Sequence, residues 1–257
     1  MTSFVGLDLS WTGKYPSGLC IFSGNHKDIS CTTVTTKQLT TFELMKLINS
    51  LEEEIIISVD APLVTTEQRQ AEKILMQLFG KAKAPAYPAT PKILERFNFC
   101  EGPKLAKLLE ENHFELDPHN FLLGLDKKKV AFETYTHAAH IRLFGLTERI
   151  PYKRRKGRNI NFIKNELQRY QDYMQETLTL EAPGILTNEK IRLILNASTV
   201  EKATGTTLKD IEDTLDGLTC ALVSYLFWRD GSSHWEALGS LPDGCVVVPK
   251  IGAYTLK

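Results

Sequence analysis

The chain has 257 residues, of which 42% are hydrophobic, and its 31 basic side chains balance its 31 acidic ones. This composition excludes a disordered tail, a collagen-like fibre and a small disulfide-stabilised protein. Balanced charge argues against non-specific coating of nucleic acid, although it permits binding through a local basic patch. The length permits one large α/β domain or a smaller one with a helical insertion, and either can bury a core. We expect a single domain that spans residues 1–257 and contains insertions.

The cysteines number five, so they fit no closed set of disulfides, and no two of them have the close spacing of metal ligands. We expect reduced thiols in a cytoplasmic protein. The first residues, MTSFVGLDLSW, lack the basic start and apolar core of a signal peptide. No window approaches the ~18 consecutive apolar residues of a membrane span, so we expect no membrane contact.

The first sixty residues predict strands, a helix and a further strand. Three short segments rich in β-branched and apolar residues form an antiparallel meander, and a helical period of apolar residues follows. The next segment is apolar on both faces, as in a central strand of a covered sheet. The predicted strands cover 4–9, 19–22, 29–36 and 55–60, and the helix covers 42–51.

The remaining chain predicts mostly helices around one parallel strand. A helix begins at Thr65 or Thr66 and ends at Phe79, and a proline-containing loop covers 81–91. The resulting mixed sheet has helices on both faces, with insertions at about 81–128 and 145–205. Further helices are predicted at 92–112, 136–145, 160–178, 187–200 and 207–229, and strands at 129–134, 234–238 and 245–248.

Carboxylates recur near the ends of three predicted strands, at Asp8, Asp60 and Glu133, and the last helix adds Asp213 and Asp216. Functional groups in open α/β sheets gather at strand ends, so these acids are expected to converge. A buried carboxylate is costly unless it is paired or metal-bound. The positive partner is either an Arg or Lys from elsewhere or a hard cation, Mg²⁺ or Mn²⁺.

The last predicted helix carries a stripe of small residues at Gly217, Cys220, Ala221 and Ser224. Such a stripe allows close packing on the sheet, which would bring Asp213 and Asp216 toward Asp8. The alternative is that the acids only compensate the helix dipole. His137, just after the strand at 129–134, is a core histidine, a general base or a metal ligand.

Basic residues for an anionic ligand are also present. A loop at 153–158 contains five basic residues in six positions, and it is either a solvated face or a phosphate-binding surface. Trp11, in the loop after Asp8, either stacks on bases or caps the sheet. The candidate substrate-binding residues are Arg69, Lys92, Lys153, Arg154, Lys156, Arg158 and Trp11. The chain lacks phosphate-binding glycine loops, a nucleophile elbow and a zinc helix, which excludes several enzyme classes.

Three motifs together resemble a known family. Val5-Gly6-Leu7-Asp8 opens the meander, Val59-Asp60-Ala61-Pro62-Leu63 closes the fourth strand, and Glu212-Asp213-Thr214-Leu215-Asp216-Gly217-Leu218 lies on the last helix. In this order they resemble the predicted nucleases of the ribonuclease H-like superfamily catalogued as domain of unknown function 429. Arg69 and Glu72 match the family's Arg and acid, although Asp is common at the second position. Thr136 stands where a proline is usual.

The resemblance implies a five-stranded ribonuclease H-like sheet, made of an antiparallel meander and parallel strands, and a nuclease activity. The expected chemistry is phosphodiester hydrolysis of nucleic acid with two Mg²⁺ or Mn²⁺ ions, held by Asp8, Asp60, Glu133 and Asp213 or Asp216. One alternative is an actin-like or sugar-kinase-like ATPase, in which the hairpin at 8–13 holds Mg-ATP. Another is a non-catalytic nucleic-acid-binding protein.

Overall fold

A computed structural model describes residues 1–51, 54–97, 101–125 and 128–254. Its strands form one mixed sheet in the order β3-β2-β1-β4-β5-β7-β6. Parallel pairing joins β1 to β4, β4 to β5 and β5 to β7. The pairings β1–β2, β2–β3 and β6–β7 are antiparallel. The strands are β1 Thr2–Asp8, β2 Ser17–Gly24, β3 Ile29–Lys37, β4 Glu54–Val59, β5 Lys129–Thr134, β6 Trp235–Ser240 and β7 Gly244–Pro249.

Helices cover both faces of this sheet, as the sequence predicts. The helices in the described ranges are α1 Thr41–Ile48, α2 Ala71–Phe79, α3 Pro91–Leu94, α4 Glu101–Glu111, α5 Pro118–Leu122, α6 Thr136–Leu143, α7 Ile160–Glu181, α8 Glu189–Ile194, α9 Ala197–Lys202 and α10 Gly205–His234. No helix within these ranges is long and apolar enough to cross a lipid bilayer.

The resemblance implies a sheet of five strands, but the described residues form a sheet of seven, because the C-terminal hairpin extends it. β7 pairs in parallel with β5, with Val246 opposite Glu133 and Val247 opposite Thr134, and β6 then pairs with β7. Both hairpin strands are apparent in the sequence pattern. Their partner lies more than a hundred residues earlier, and the local pattern contains no information about that pairing.

Three predicted helices differ from the structure. α2 begins at Ala71, because the preceding segment forms bends and a turn, and its Leu63 and Val64 amides donate to the Glu133 carboxylate. The helix predicted at 92–112 is divided into α3, a short 3-10 turn and α4. Its residues 98–100, which include Cys100, lie outside the described residues. The helix predicted at 187–200 is divided by Asn196, whose side chain caps α9.

Two apolar clusters, one on each face of the sheet, make up most of the core. The strand side chains that point to one face of the sheet, including Phe4 and Ile56, pack with α7 and α10. The strand side chains that point to the opposite face, including Leu7 and Val59, pack with α1 and α4. This alternation follows from the pleat of the strands and decides which face each strand-end carboxylate occupies.

The helix α10 lies very close to β1 and β2, as the stripe of small residues predicts. A Cβ atom on Gly217 would lie 2.8 Å from the backbone carbon of Gly18. The Ser224 hydroxyl donates to the Val5 carbonyl at 2.9 Å, and the Ser58 hydroxyl donates to the Cys220 carbonyl at 2.6 Å. The close packing brings the N-terminal half of α10 to the end of β1.

Candidate active site

Asp8 and Asp60 lie side by side at the carboxyl edge of the sheet. β1 and β4 are parallel with Leu7 opposite Val59, and the Asp60 amide donates to the Leu7 carbonyl at 2.8 Å. The two aspartates therefore occupy the same level. Asp8 and Asp60 lie an even number of residues after Phe4 and Ile56, so their side chains point to the same face of the sheet, the one covered by α10.

The helix α10 supplies two more carboxylates to this edge. Asp213 is buried but lines a cleft that Asp8 and Asp60 also line. Asp216 has no exposed surface and lies one turn deeper. The Tyr152 hydroxyl donates to Asp216 at 2.6 Å, and the Tyr170 hydroxyl does so at 3.3 Å.

Two lysines provide the positive partners that these acids require. Lys153 Nζ lies 3.0 Å from Asp216 Oδ2, and its side chain is 38% exposed. Lys209 Nζ lies 2.6 Å from Asp213 Oδ1 and 2.7 Å from Glu212 Oε1. The sequence left open whether a basic side chain or a metal ion neutralises the acids, and the structure contains lysines in this role.

The four aspartates of this edge nevertheless outnumber the two lysines. The pKa values of Asp8 and Asp60 are raised accordingly. Burial raises the pKa of Asp8 well above its usual value, and the charges of Asp216, Asp60 and Asp213 raise it further against the opposing effect of Lys153. Burial also raises the pKa of Asp60, with Asp216 adding to the effect. Asp8 and Asp60 are therefore carboxylates that an additional cation would stabilise in the ionised form.

In the Lys153–Asp216 pair, by contrast, the pKa shifts favour the charged form of both side chains. Burial alone would raise the pKa of Asp216, but Lys153 and the hydrogen bond from Tyr152 lower it. Burial alone would lower the pKa of Lys153, but the carboxylates of Asp216, Asp8 and Asp60 raise it well above its usual value. The ammonium group is thus held as a cation among aspartates.

Thr136 and His137, at the start of α6, complete the edge near Asp60. The buried Thr136 hydroxyl donates to Asp60 Oδ2 at 2.6 Å, which orients that carboxylate. His137 lines the cleft and is 6% exposed. Burial, together with Lys153, lowers its pKa well below the usual value, so its ring is neutral at pH 7.

Glu133 lines the same cleft as the aspartates, but its carboxylate is engaged by other groups, so its role as a metal ligand stays a prediction. β5 pairs with β4 so that Glu133 is opposite Val59, and its side chain therefore points to the face covered by α1 and α4. Oε1 accepts from Arg69 at 2.9 Å and from the Leu63 and Val64 amides, and Oε2 accepts from Arg69. Both oxygens thus already have donors.

Arg69 also lines the cleft, where its side chain is held by acidic neighbours, and its role in binding substrate stays a prediction. Its guanidinium contacts Glu133, the Val64 carbonyl and Glu72, the last at 2.5 Å. Only 2% of its side chain is exposed. Arg69 and Glu133 hold the segment that leads from β4 to α2.

The cleft has a volume of about 550 Å³, and an aromatic rim borders one side. Trp11 and Tyr87 meet edge to face with their ring centroids 6.3 Å apart. Tyr15 is 68% exposed and Tyr87 55% exposed. Trp11 lines the cleft and also packs on Ala89 and Leu94, and its role in stacking on bases stays a prediction.

The other predicted basic residues are distributed unevenly. Lys153 lines the cleft, as does Arg155 from the same loop. Arg154 and Lys156 are exposed and lie outside the cleft lining, as does Lys92 on α3. Arg158 donates to the Pro151 and Lys153 carbonyls at 2.8 and 2.7 Å, so it fixes the loop that carries Lys153.

Several site residues were missed by the sequence analysis. Lys209 precedes Asp213 by four residues, a spacing that predicts an ion pair on one helical face. Tyr152, Tyr170, Tyr87 and Arg149 reach the site only through the folding of distant segments, and the sequence has no local signal for them.

The donor chemistry of the edge fits a hard divalent cation, because Asp8, Asp60 and Asp213 offer only carboxylate oxygens. In the described part of the chain, however, no group of three or more His, Cys, Asp or Glu side chains is arranged to hold a metal ion. The ammonium groups of Lys153 and Lys209 are paired with Asp216 and Asp213 at this edge.

Comparisons of the chain with family models, with curated proteins and with solved structures find no match. The resemblance to the ribonuclease H-like nucleases therefore stays a prediction.

Proposed function

We propose that the protein is a metal-dependent phosphodiesterase of the ribonuclease H-like class that acts on nucleic acid. The observation that carries the proposal is the meeting of Asp8, Asp60 and Asp213, from β1, β4 and α10, in one cleft. Burial raises the pKa of all three carboxyl groups, so an additional cation would favour their ionised forms. Such a cluster is suited to a divalent cation.

The sheet supports the proposed class. β3, β2 and β1 form an antiparallel meander, and β4 and β5 add parallel strands, which is the arrangement that the resemblance implies. β7 and β6 extend this frame beyond the five expected strands. Because a fold does not determine a reaction, the proposal depends on the aspartate site and not on the sheet.

In the proposed site, Asp8, Asp60 and Asp213 would hold the cation. The chemistry that it would supply is activation of water and stabilisation of charge on the leaving oxygen. Thr136 orients Asp60 through its hydrogen bond. Lys153 and Arg155 line the same cleft and contribute positive charge for a phosphate group. Asp216 is placed outside the ligand set, because it is enclosed by Tyr152, Tyr170 and Lys153.

The test is hydrolysis of a small chromogenic diester, bis(p-nitrophenyl) phosphate, and of labelled oligonucleotides in Mg²⁺, Mn²⁺ or EDTA. We expect activity that requires the metal and that Asp8→Asn abolishes. The matched control is Asp172→Asn, which changes an exposed aspartate on α7. Equal activity in wild type and the Asp8 variant would contradict the proposal. ADP formation from ATP with no diester cleavage would favour the actin-like alternative.

A further inference from the structure

A second cleft adjoins the aspartate site. It has a volume of about 630 Å³ and is lined mainly by basic, acidic and aromatic side chains from the segment 145–151 and from α7. Arg149 lines both clefts, so the two cavities meet at this side chain. The aspartate cleft is therefore one part of a longer surface.

The second cleft has an excess of positive charge. Lys83 pairs with Glu148 at 2.7 Å, and Arg169 pairs with Glu166 at 2.7 Å. No carboxylate of the described residues forms an ion pair with Arg149 or Arg158 in the structure. Partial burial lowers the pKa of Arg158, and repulsion from Arg149 and Arg155 adds to this effect against attraction by Glu166. Three neighbouring guanidinium groups thus favour an anion.

Aromatic rings flank these cations at both ends of the surface. In the second cleft Phe162 is 39% exposed, and the Arg158 guanidinium lies 5.9 Å from its ring centre. In the aspartate cleft Trp11, Tyr15 and Tyr87 form the rim described above. Alternation of cations with exposed rings suits a chain in which phosphates alternate with stacking bases.

Resting on the proposed function, we infer that the two clefts together bind single-stranded nucleic acid, with the backbone passing over Arg149. Unpaired bases stack on Trp11 and Tyr87 at one end and on Phe162 at the other, while the intervening phosphates contact Arg149, Arg155 and Arg158. A duplex offers no free base faces to these rings. A mononucleotide fills only one of the two clefts.

The test measures binding without catalysis. The Asp8→Asn chain in EDTA is titrated with fluorescein-labelled thymidylate 4-mers and 12-mers and with a 12-base-pair duplex, and fluorescence anisotropy is recorded. We expect the 12-mer to bind roughly tenfold more tightly than the 4-mer or the duplex. A uridylate 12-mer is the RNA form of the probe, and preferential binding of either 12-mer supports the inference.

Variants of the second cleft locate the contact. Adding Phe162→Ala is expected to weaken binding of the 12-mer by roughly tenfold and to leave the 4-mer within about twofold. Adding Arg149→Ala is expected to weaken binding of both probes, because Arg149 lines both clefts. The added Arg149 change also lowers the salt dependence of 12-mer binding by about 0.7 of a logarithmic unit per logarithmic unit of salt. Arg192→Ala, which removes an exposed arginine on α8, is the matched control.

Thermal unfolding of each variant distinguishes lost contacts from lost folding, and Arg169→Ala, at an exposed rim position, replaces any variant that fails to fold. Equal affinity for the 4-mer and the 12-mer, or for the duplex and the single strand, would overturn the inference. The proposed function fails separately, if wild type with Mn²⁺ does not hydrolyse bis(p-nitrophenyl) phosphate, since this small diester needs only the aspartate cleft.

Discussion

The ammonium nitrogen of Lys153 lies 3.0 Å from a carboxylate oxygen of Asp216, a residue with no exposed surface. Lys153 belongs to the basic loop, whereas Asp216 belongs to the helix that covers the sheet. The ion pair therefore fixes the loop at the aspartate edge. It also places a positive charge near Asp8 and Asp60, where the proposed metal ion would bind.

Lys153→Met is expected to destabilise the protein in EDTA by about 3 kcal/mol, because it leaves the buried Asp216 without its cation. Adding Mn²⁺ is expected to stabilise this variant more than it stabilises wild type, since the ion no longer competes with an ammonium group. Urea unfolding with and without Mn²⁺ measures both effects. Lys156→Met, at an exposed position of the same loop, is expected to change stability by less than about 0.5 kcal/mol.

Asp8→Asn is expected to stabilise the metal-free protein at pH 7.5 by about 1–2 kcal/mol, because it removes a carboxylate whose ionisation the site disfavours. An unfolded Asp titrates near pH 3.9, and the folded pKa of Asp8 is higher, so the folded state binds more protons between these two values. Wild type thus loses the contribution of this group as pH rises through that window.

The difference in unfolding free energy between Asp8→Asn and wild type is therefore expected to shrink as pH falls toward 4. Urea unfolding in EDTA across this pH range measures it. A difference that grows on acidification, or a variant less stable than wild type at pH 7.5, would contradict the raised pKa of Asp8.

Glu133→Gln is expected to cost about 3 kcal/mol, because the buried guanidinium of Arg69 loses a counter-charge. It is expected to leave Mn²⁺ affinity unchanged, since Glu133 lies outside the proposed ligand set. Chemical unfolding and Mn²⁺ titration separate these effects. Glu148→Gln, in the exposed pair with Lys83, serves as the control and is expected to cost less than about 1 kcal/mol. Loss of metal binding in Glu133→Gln would return Glu133 to the ligand set.

Gly217→Ala is expected to destabilise the protein by about 2–3 kcal/mol, because the added Cβ meets the backbone of Gly18 at 2.8 Å. The displaced helix also carries Asp213 away from Asp8, so Mn²⁺ affinity falls with stability. Gly124→Ala is the control: its φ of 77° is strained for alanine, but the added Cβ has open space. This control is expected to cost about 1 kcal/mol and to leave Mn²⁺ affinity unchanged.

The meeting of Asp8, Asp60 and Asp213 was predictable from the sequence, because each part of it has a local signal. The apolar runs before Asp8 and Asp60 define strands that end at these residues, and the small side chains after Asp213 permit close contact with the sheet. The structure confirms the helix packing that the stripe of small residues predicts.

The position of Glu133 was not predictable, because it depends on how β5 aligns with β4 across more than seventy residues of chain. A shift of one residue in that register would move its side chain to the face of Asp60. The partnership of Lys153 with Asp216 has the same origin, since it depends on where a long loop packs. A local pattern gives the residue types but not these long-range alignments.

The most direct test is to measure the affinity of the intact chain for Mn²⁺ by isothermal titration calorimetry at pH 7.5. Wild type, Glu133→Gln and the control Asp172→Asn are expected to bind Mn²⁺ with the same affinity, and Asp8→Asn and Asp60→Asn to bind it at least about tenfold more weakly. Wild type that binds no Mn²⁺, or aspartate variants that bind it as well as wild type, would contradict the metal site at this edge of the sheet.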